Sequence, residues 1–126
     1  MKLAPARRRI LCVEDNPDIC ELIAAVLTEY DVDSATGVEE AWALFNRERF
    51  SIVVLDYILP DGNGLKLCEL IRAADVLIPI IFITGDPDLT EAEVRVAGAQ
   101  RLVRKKDLTF IDELLTSVQA LAEDIA

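Results

Sequence analysis

The sequence predicts an α/β domain in which a parallel β-sheet is covered by helices on both faces. Short apolar runs rich in β-branched residues alternate five times with longer amphipathic stretches along the 126 residues. This alternation is typical of βα units, whose strands are buried on both faces. Several apolar runs end abruptly in polar residues, as expected where the carboxyl ends of parallel strands form a functional edge.

Five segments have the composition of buried strands. Three of them are short aliphatic runs bounded by charged or turn-forming residues, which favours a strand over a helix. The second segment is the weakest, because it contains few large apolar residues. The predicted strands are Ile10–Val13, Val32–Ala35, Ile52–Leu55, Ile80–Thr84 and about Arg101–Arg104.

Five helices are predicted after these strands. Asn16-Pro17 is a favourable cap and first-turn pair. Thr36-Gly-Val-Glu39 and Thr90-Glu-Ala-Glu93 both have the pattern of a capping box, and Gly98 is expected to end the fourth helix. The predicted helices run from Pro17 to about Glu29, from Thr36 to about Arg47, from Gly64 to Ala74, from Thr90 to Gly98 and from Thr109 to about Ala122.

Composition indicates one globular domain over residues 1–126. The hydrophobic fraction of 52% is enough to fill one core, and the net charge of −10 argues against nonspecific binding to nucleic acid or anionic membranes. No apolar run approaches the roughly 20 residues that cross a bilayer, and the N-terminus lacks the apolar segment of a signal peptide. We therefore expect a cytoplasmic domain that contacts neither nucleic acid nor membrane directly.

Cysteine and histidine usage narrows the chemistry further. Cys12, Cys20 and Cys68 lie in apolar stretches without C-x-x-C spacing, so we expect them to pack as free thiols. The sequence contains no histidine. Catalysis by a histidine of this chain, and metal ligation by one, are therefore excluded.

Polar residues at the ends of four predicted strands are expected to converge on one site. Taken singly, each is a weak signal that an ordinary loop or cap position explains, but the joint pattern favours a site at the shared edge of the sheet. Crowded carboxylates repel one another, and hard oxygen ligands favour Mg²⁺ as the neutralising ion. The residues are Glu14 and Asp15 after the first strand, Asp56 after the third, Thr84 in the fourth and Lys105 after the fifth.

These residue types suit the transfer of a phosphoryl group to a carboxylate. A lone carboxylate near Mg²⁺ can attack phosphorus, and the ion neutralises the charge on the phosphoryl oxygens. A threonine hydroxyl and a lysine ammonium can each bind one of those oxygens. We therefore predict that Asp56, Thr84 and Lys105 carry the chemistry and that the product is an aspartyl phosphate.

The same residues resemble those of the receiver domains of two-component response regulators, over a core from about residue 9 to 121. The resemblance implies a flavodoxin-like, doubly wound five-stranded sheet of order 2-1-3-4-5. It also implies phosphorylation by a sensor histidine kinase or a phosphotransfer protein. The matching residues are Glu14 and Asp15, Asp56 followed by Pro60 and Gly64, Thr84, and Gly98-Ala99 ahead of Lys105.

The resemblance also implies a ligand set and a mode of action. Asp15, Asp56 and the backbone carbonyl of Ile58 would hold Mg²⁺ directly, and Glu14 would act mostly through water. The domain would be a signalling switch that binds a downstream protein target rather than a turnover enzyme. A weak homodimer is compatible with this interpretation.

Two residues depart from the family pattern. Leu102 stands where receivers usually carry Tyr or Phe, and Lys106 replaces the proline that usually follows the lysine. The Lys105–Lys106 peptide is predicted to be trans, because a cis bond before a non-proline residue costs about 2.5–4 kcal/mol. A trans bond in turn predicts a rearranged loop, with Lys105 reaching the site only after phosphorylation. Phe82-Ile-Thr84-Gly85 resembles receivers without the aromatic switch, so movement is expected between Thr84 and Gly98.

Two alternatives remain at this stage. A degenerate receiver would be a docking module independent of phosphorylation, which Leu102 and Lys106 leave open. A phosphohydrolase of the haloacid dehalogenase type would need a second aspartate two residues after Asp56, where Ile58 stands.

Ile58 also offers no hydrogen bond to orient a water, which predicts a long-lived aspartyl phosphate, whereas Asp86 can either orient water or repel hydroxide. Flavin binding is disfavoured, because no phosphate-binding loop follows the first strand.

Overall fold

The computed structural model describes residues 7–125, and residues 1–6 and 126 of the predicted domain lie outside the described part. Five parallel strands form one sheet: β1 Arg9–Val13, β2 Asp31–Ala35, β3 Ile52–Asp56, β4 Ile80–Thr84 and β5 Arg101–Arg104. Their order in the sheet is β2-β1-β3-β4-β5, which confirms the predicted topology.

Five helices cover both faces of the sheet, as predicted. They are α1 Pro17–Val26, α2 Val38–Arg47, α3 Gly64–Ala74, α4 Glu91–Ala97 and α5 Phe110–Glu123. Three of them, α2, α3 and α4, pack on one face, and α1 and α5 pack on the other. The sequence analysis did not predict the short hairpin of Ile58–Leu59 and Gly62–Asn63 that follows β3.

Alternation within each central strand divides the core into two layers. In β1, Leu11 and Val13 pack towards α2, α3 and α4, whereas Ile10 and Cys12 pack towards α1 and α5. Every residue of β3 and β4 is buried. Because both faces of these strands are covered, complete burial of an aliphatic side chain stabilises the fold by about 1.5–3 kcal/mol at each position. The central strands are therefore a rigid base for the residues at their carboxyl ends.

One predicted capping box is confirmed and the other is wrong. At α4, the Thr90 hydroxyl accepts from the Glu93 N–H at 3.1 Å and the Glu93 carboxylate accepts from the Thr90 N–H at 3.2 Å. At α2, Gly37 is the cap residue and no side-chain cap of its own is formed. The carboxylate of Asp61 from the hairpin accepts the first helical N–H groups instead, so a residue distant in sequence replaces Thr36.

The remaining differences are local. Helix α1 ends at Val26 rather than near Glu29, because the Leu27 N–H completes the last turn on Ile23 O and the chain then turns towards β2.

Cys12, Cys20 and Cys68 are free thiols, as predicted, and two of them are buried. Gly98 ends α4 in the left-handed region with φ of 111°, which is also as predicted. Among residues 7–125, none of the helices has the length and apolar character required to span a membrane.

Candidate functional site

The predicted site residues emerge at one edge of the sheet, where the strands end. Glu14 follows β1 and extends its pairing, since the Glu14 N–H donates to Ala35 O at 2.9 Å. Asp56 is the last residue of β3, and Thr84 is the last residue of β4. Lys105 follows β5, and its N–H donates to Thr84 O at 2.8 Å. The backbone ladder therefore fixes where these residues leave the sheet.

Three carboxylates form an acidic cluster at this edge. Glu14, Asp15 and Asp56 each present an oxygen within 4.8 Å of the other two. Glu14 and Asp56 are buried, whereas Asp15 is exposed to solvent. A pocket of about 420 Å³ opens beside the cluster, and its lining includes Asp15, Asp56, Ile58, Thr84 and Lys105. The structure thus brings every predicted site residue except Glu14 to the wall of one pocket, and Glu14 lies directly behind it.

Lys105 partly neutralises the buried acids. Its Nζ donates to Glu14 Oε1 at 2.8 Å and to Asp56 Oδ2 at 3.0 Å, and its side chain is only 19% exposed. Burial alone would lower the pKa of Lys105, but its hydrogen bonds to the two carboxylates outweigh burial and raise the pKa. The lysine is therefore held in the charged form, and it offsets one of the three negative charges.

The position of Lys105 corrects one expectation. Its ammonium already contacts Asp56 without phosphorylation, so a trans peptide does not withdraw it from the site. The predicted trans geometry itself is confirmed, since every peptide bond between residues 7 and 125 is trans. The prediction about Lys105 was wrong because its N–H remains paired with Thr84 O. That pairing orients its side chain before the following peptide can affect it.

The environment of Glu14 disfavours the ionised form of its carboxyl group. Complete burial of its side chain, together with the neighbouring Asp56 carboxylate, raises its pKa to about 7, although the Lys105 ammonium opposes the shift. Its second oxygen, Oε2, accepts from the Asp15 N–H at 3.0 Å. Protonation of Glu14, or a further cation beside it, would remove the cost of this buried negative charge.

The backbone around Asp56 orients its carboxylate. Oδ1 accepts from the Tyr57 N–H at 2.7 Å, which leaves Oδ2 facing Lys105. The start of α3 presses against this turn: the Gly64 N–H donates to Tyr57 O at 2.7 Å. A Cβ at Gly64 would collide with Asp56 O, so a larger residue does not fit without moving the backbone. Gly64 therefore allows the close approach that fixes the Asp56 turn.

Thr84 is buried at the pocket wall, with 2% of its surface exposed. Its Oγ1 accepts from the Asp86 N–H at 2.9 Å. A hydroxyl has one donor and two acceptor positions, so this bond leaves the hydroxyl proton available to a ligand in the pocket.

The sequence analysis did not identify two side chains that support the site. Asp61 in the hairpin caps α2 through bonds from Val38 N–H at 2.7 Å and Glu39 N–H at 3.0 Å. Arg104, the last residue of β5, donates to backbone carbonyls of the segment after Thr84. Both contacts join residues 15 or more positions apart, which local motifs do not encode. Two local features are compatible with these roles without specifying them: Asp is a favourable capping residue in general, and Arg104 is one of the two arginines that flank Leu102 and Val103 in β5.

The donor set fits a hard divalent cation. Three carboxylates at this separation offer oxygen ligands of the kind that Mg²⁺ prefers. When Glu14 is ionised, one lysine ammonium leaves two negative charges in the cluster unbalanced, and a divalent ion would offset them. Within residues 7–125, every buried side-chain nitrogen and oxygen has a hydrogen-bond partner, so the protein alone satisfies the polar groups that surround the cluster.

Comparison with known proteins agrees with this geometry. A sequence model of the response regulator receiver domain matches residues 10–119. The response regulator protein PilR of Pseudomonas aeruginosa is 33% identical over 120 residues, which are 92% of this chain and 27% of PilR. The response regulator RppA of Synechocystis is 32% identical over 119 residues, which are 90% of this chain and 50% of RppA. The chain thus spans half or less of the length of these relatives.

Two solved structures of response regulator proteins have the same fold as this chain. The receiver domain protein from Methanospirillum hungatei superposes with a TM-score of 0.83 at 26% identity, covering 94% of this chain and 96% of that one. The response regulator TrrA from Thermotoga maritima, solved in complex with Mg²⁺ and BeF, gives a TM-score of 0.81 at 33% identity and covers 90% of this chain and 98% of TrrA.

Fold, site and relatives together define a phosphoaccepting switch of two-component signal transduction. The chain belongs to the response regulator receiver domain family. Receiver domains of this family bind Mg²⁺ at an acidic pocket and interact with histidine kinases or phosphotransfer proteins.

Proposed function

We propose that Asp56 accepts a phosphoryl group from a phosphohistidine of a sensor histidine kinase or a phosphotransfer protein. The observation that carries the proposal is the contact of Asp56 Oδ2 with the Lys105 ammonium at 3.0 Å, inside a cluster of three acids. Asp56 is nearly buried yet lines the pocket, so an incoming group reaches its carboxylate from the pocket side. Asp15 lines the pocket too, but it is exposed and has no comparable lysine contact among those of the described residues.

The transfer balances without any further reactant. A carboxylate oxygen of Asp56 forms a bond to phosphorus while the bond from phosphorus to the donor's imidazole nitrogen breaks. The electron pair of that bond stays on the nitrogen, and the donor ring, already protonated on its other nitrogen, leaves as neutral imidazole. Lys105 then pairs with one phosphoryl oxygen in place of its present contact with Asp56 Oδ2. The Thr84 hydroxyl donates its free proton to another phosphoryl oxygen.

Asp15, Asp56 and the backbone carbonyl of Ile58 are proposed to hold Mg²⁺ directly, with Glu14 acting mostly through water. When bound, the ion neutralises charge on the phosphoryl oxygens. The fit of three carboxylates to a hard cation supports this assignment. TrrA, a relative whose structure contains Mg²⁺ and BeF, makes the same pair of probes suitable here.

We further propose that residues 1–126 form a single receiver domain, with a core from about residue 9 to 121, that acts by binding a downstream protein target, without turnover of a substrate. The phosphohydrolase alternative is not favoured: Ile58, at the position of the required general acid, has an apolar side chain that is 63% exposed. The docking-module alternative would need an incomplete site, whereas the acid pair, Asp56, Thr84 and Lys105 are all present and close together.

Acetyl phosphate tests the proposal without knowledge of the kinase. Incubation with Mg²⁺ and acetyl phosphate, followed by intact mass measurement, is expected to give one phosphoryl adduct. The adduct is expected to disappear in Asp56→Asn and when the ion is removed by a chelator. Asp75→Asn, an acid at the end of α3, is the matched control and should be modified like the parent. An adduct that persists in Asp56→Asn would contradict the assignment.

A further inference from the structure

Arg104 links the end of β5 to the segment between β4 and α4, residues 85–90. Its Nη1 donates to Asp86 O at 3.2 Å, and its Nη2 donates to Leu89 O at 2.8 Å. A guanidinium is a planar fork with donors in fixed directions, so it suits two acceptors at a set spacing. One side chain thereby fixes two points of the segment relative to the sheet.

The alternation of β5 explains why Arg104 reaches this segment. Leu102 packs with the core layer of α2, α3 and α4, whereas Val103 packs with the layer of α1 and α5. Residues two apart in a strand point to the same face, so Arg104 lies on the face of Leu102 but nearer the site. The side chain of Leu102 has no polar atom and cannot bond to the segment. On this face of β5, the polar link to the segment comes from Arg104.

The contacts of Arg104 continue a chain of hydrogen bonds that begins at the pocket. The Thr84 hydroxyl oxygen accepts from the Asp86 N–H at 2.9 Å, and the carbonyl of the same Asp86 accepts from Arg104. The other branch of the guanidinium holds Leu89 O, and the next residue, Thr90, is the cap of α4. Any displacement of Thr84 therefore acts on a segment that is tied to β5 and leads directly into α4.

A second arginine holds the opposite end of α4. Arg72 of α3 donates to Gly98 O through Nε at 3.0 Å and Nη2 at 2.6 Å. Its contacts are of the same chemical kind as those of Arg104, since both guanidinium groups donate to backbone carbonyls. They differ in location, because those of Arg72 lie at the end of α4 that is distant from Thr84. Arg72 is thus a natural control.

We propose that Arg104 is a positioning residue for the switch. It fixes Asp86 so that the Thr84 hydroxyl oxygen is occupied by the Asp86 N–H and its proton is directed at a phosphoryl group on Asp56. It also couples a displacement of Thr84 to a displacement of the first turn of α4. The inference rests on the proposed function, because it assigns Arg104 a role in the response to phosphorylation of Asp56.

Arg104→Lys is the informative variant, because it keeps the positive charge beside the site and removes the fork. Binding of beryllofluoride, a phosphoryl mimic, is measured calorimetrically in the presence of Mg²⁺, and amide NMR shifts are followed in the same titration. We expect binding about tenfold weaker than in the parent, the size of effect that loss of one well-placed hydrogen bond produces. We also expect the loading-dependent shifts of residues 91–94 in α4 to be reduced.

Arg72→Lys is the control, and it is expected to lower the unfolding midpoint while leaving the affinity and the shifts of residues 91–94 as in the parent. A double variant, Thr84→Val with Arg104→Lys, should bind no more weakly than Thr84→Val alone, because both changes interrupt one chain of contacts. If Arg104→Lys itself unfolds, the amide spectrum will reveal it, and Arg104→Gln, which keeps two amide donors, takes its place.

Three outcomes would overturn the inference or its basis. Parent-like affinity and shifts in Arg104→Lys would leave Arg104 a purely structural residue. Independent, additive effects of Thr84→Val and Arg104→Lys would break the proposed chain of contacts. Failure of the parent itself to bind beryllofluoride would instead refute the proposed function at Asp56, and the inference with it.

Discussion

The charge of the site depends on pH through the protonation of Glu14. With its pKa raised to about 7 by burial and by Asp56, the folded protein keeps a proton that the unfolded chain releases near its ordinary value of about 4.3. Without a bound cation, the folded state therefore binds more protons than the unfolded state between these two values. Stability of the ion-free protein is expected to fall as the pH rises through this interval.

Mg²⁺ affinity should consequently depend on pH near neutrality. A protonated Glu14 leaves less negative charge for the ion, so the affinity is expected to fall by about tenfold from pH 8 to pH 6. Calorimetric titration with MgCl₂ measures this. Glu14→Gln should bind more weakly at pH 8 but show little change between the two pH values. Equal affinity of the parent at pH 6 and pH 8 would contradict the assigned role of Glu14.

Ile58 is predicted to protect the aspartyl phosphate. Its exposed apolar side chain lines the pocket beside Asp56 and offers no hydrogen bond to an attacking water. Ile58→Asn is therefore expected to shorten the lifetime of the phosphorylated form several-fold, as followed by the decay of the intact-mass adduct. Leu77→Asn changes an aliphatic side chain that is 84% exposed and outside this pocket, and it should leave the lifetime unaltered. Phosphate loss from the parent within seconds would refute the prediction.

At the scale of elements, the hairpin supports α2 through Asp61. The two helical N–H groups that bind its carboxylate lower the pKa of Asp61, so its contribution is present above the ordinary pKa and is lost as the pH falls through the lowered value. Asp61→Ala should reduce the urea midpoint at pH 7, and the difference from the parent should shrink in acid. Thr36→Ala, at the cap predicted from sequence, should have little effect. A larger loss in Thr36→Ala than in Asp61→Ala would be inconsistent with the observed cap.

The strands and most helix ends were predictable because their determinants are local. An aliphatic run such as Ile52–Leu55 and a capping box such as Thr90–Glu93 carry their information within a few residues. The cap of α2 was not predictable, because Asp61 and Val38 are distant in sequence. The predicted end of α1 was wrong for a similar reason: the turn after Leu27 leads into β2, and pairing in the sheet rather than helix propensity determines where the helix ends.

At the scale of the whole molecule, the site was predictable because parallel strands share one edge. The strand order alone brings Glu14, Asp56 and Thr84 together, independently of the conformation of the loops. The prediction that a trans Lys105–Lys106 peptide withdraws Lys105 from the site was wrong, because the position of Lys105 depends on the sheet and not on the peptide that follows it. Backbone pairing with Thr84 holds the lysine at the site, so the missing proline has less influence than expected. The contacts of Arg104 depend on loop geometry that no sequence pattern specified.

Phosphorylation is expected to alter the region from Thr84 to Gly98 more than the rest of the molecule. Leu102 provides no aromatic side chain to move, whereas Thr84, Asp86 and Arg104 are joined by hydrogen bonds. Hydrogen exchange of the beryllofluoride-loaded and free proteins should therefore differ most within residues 84–98. A difference confined to α5 would show that the response follows another route.

The most direct test of the central claim is to locate the phosphoryl group. Borohydride reduction of the acetyl-phosphate-treated protein converts an aspartyl phosphate to homoserine, and peptide mass spectrometry then identifies the modified residue. Asp56 and Asp15 both line the pocket, so the experiment discriminates between two neighbouring carboxylates. The geometry predicts homoserine at residue 56, dependent on Mg²⁺ and absent at residue 15. Modification at residue 15, or no reducible acyl phosphate at all, would contradict the account.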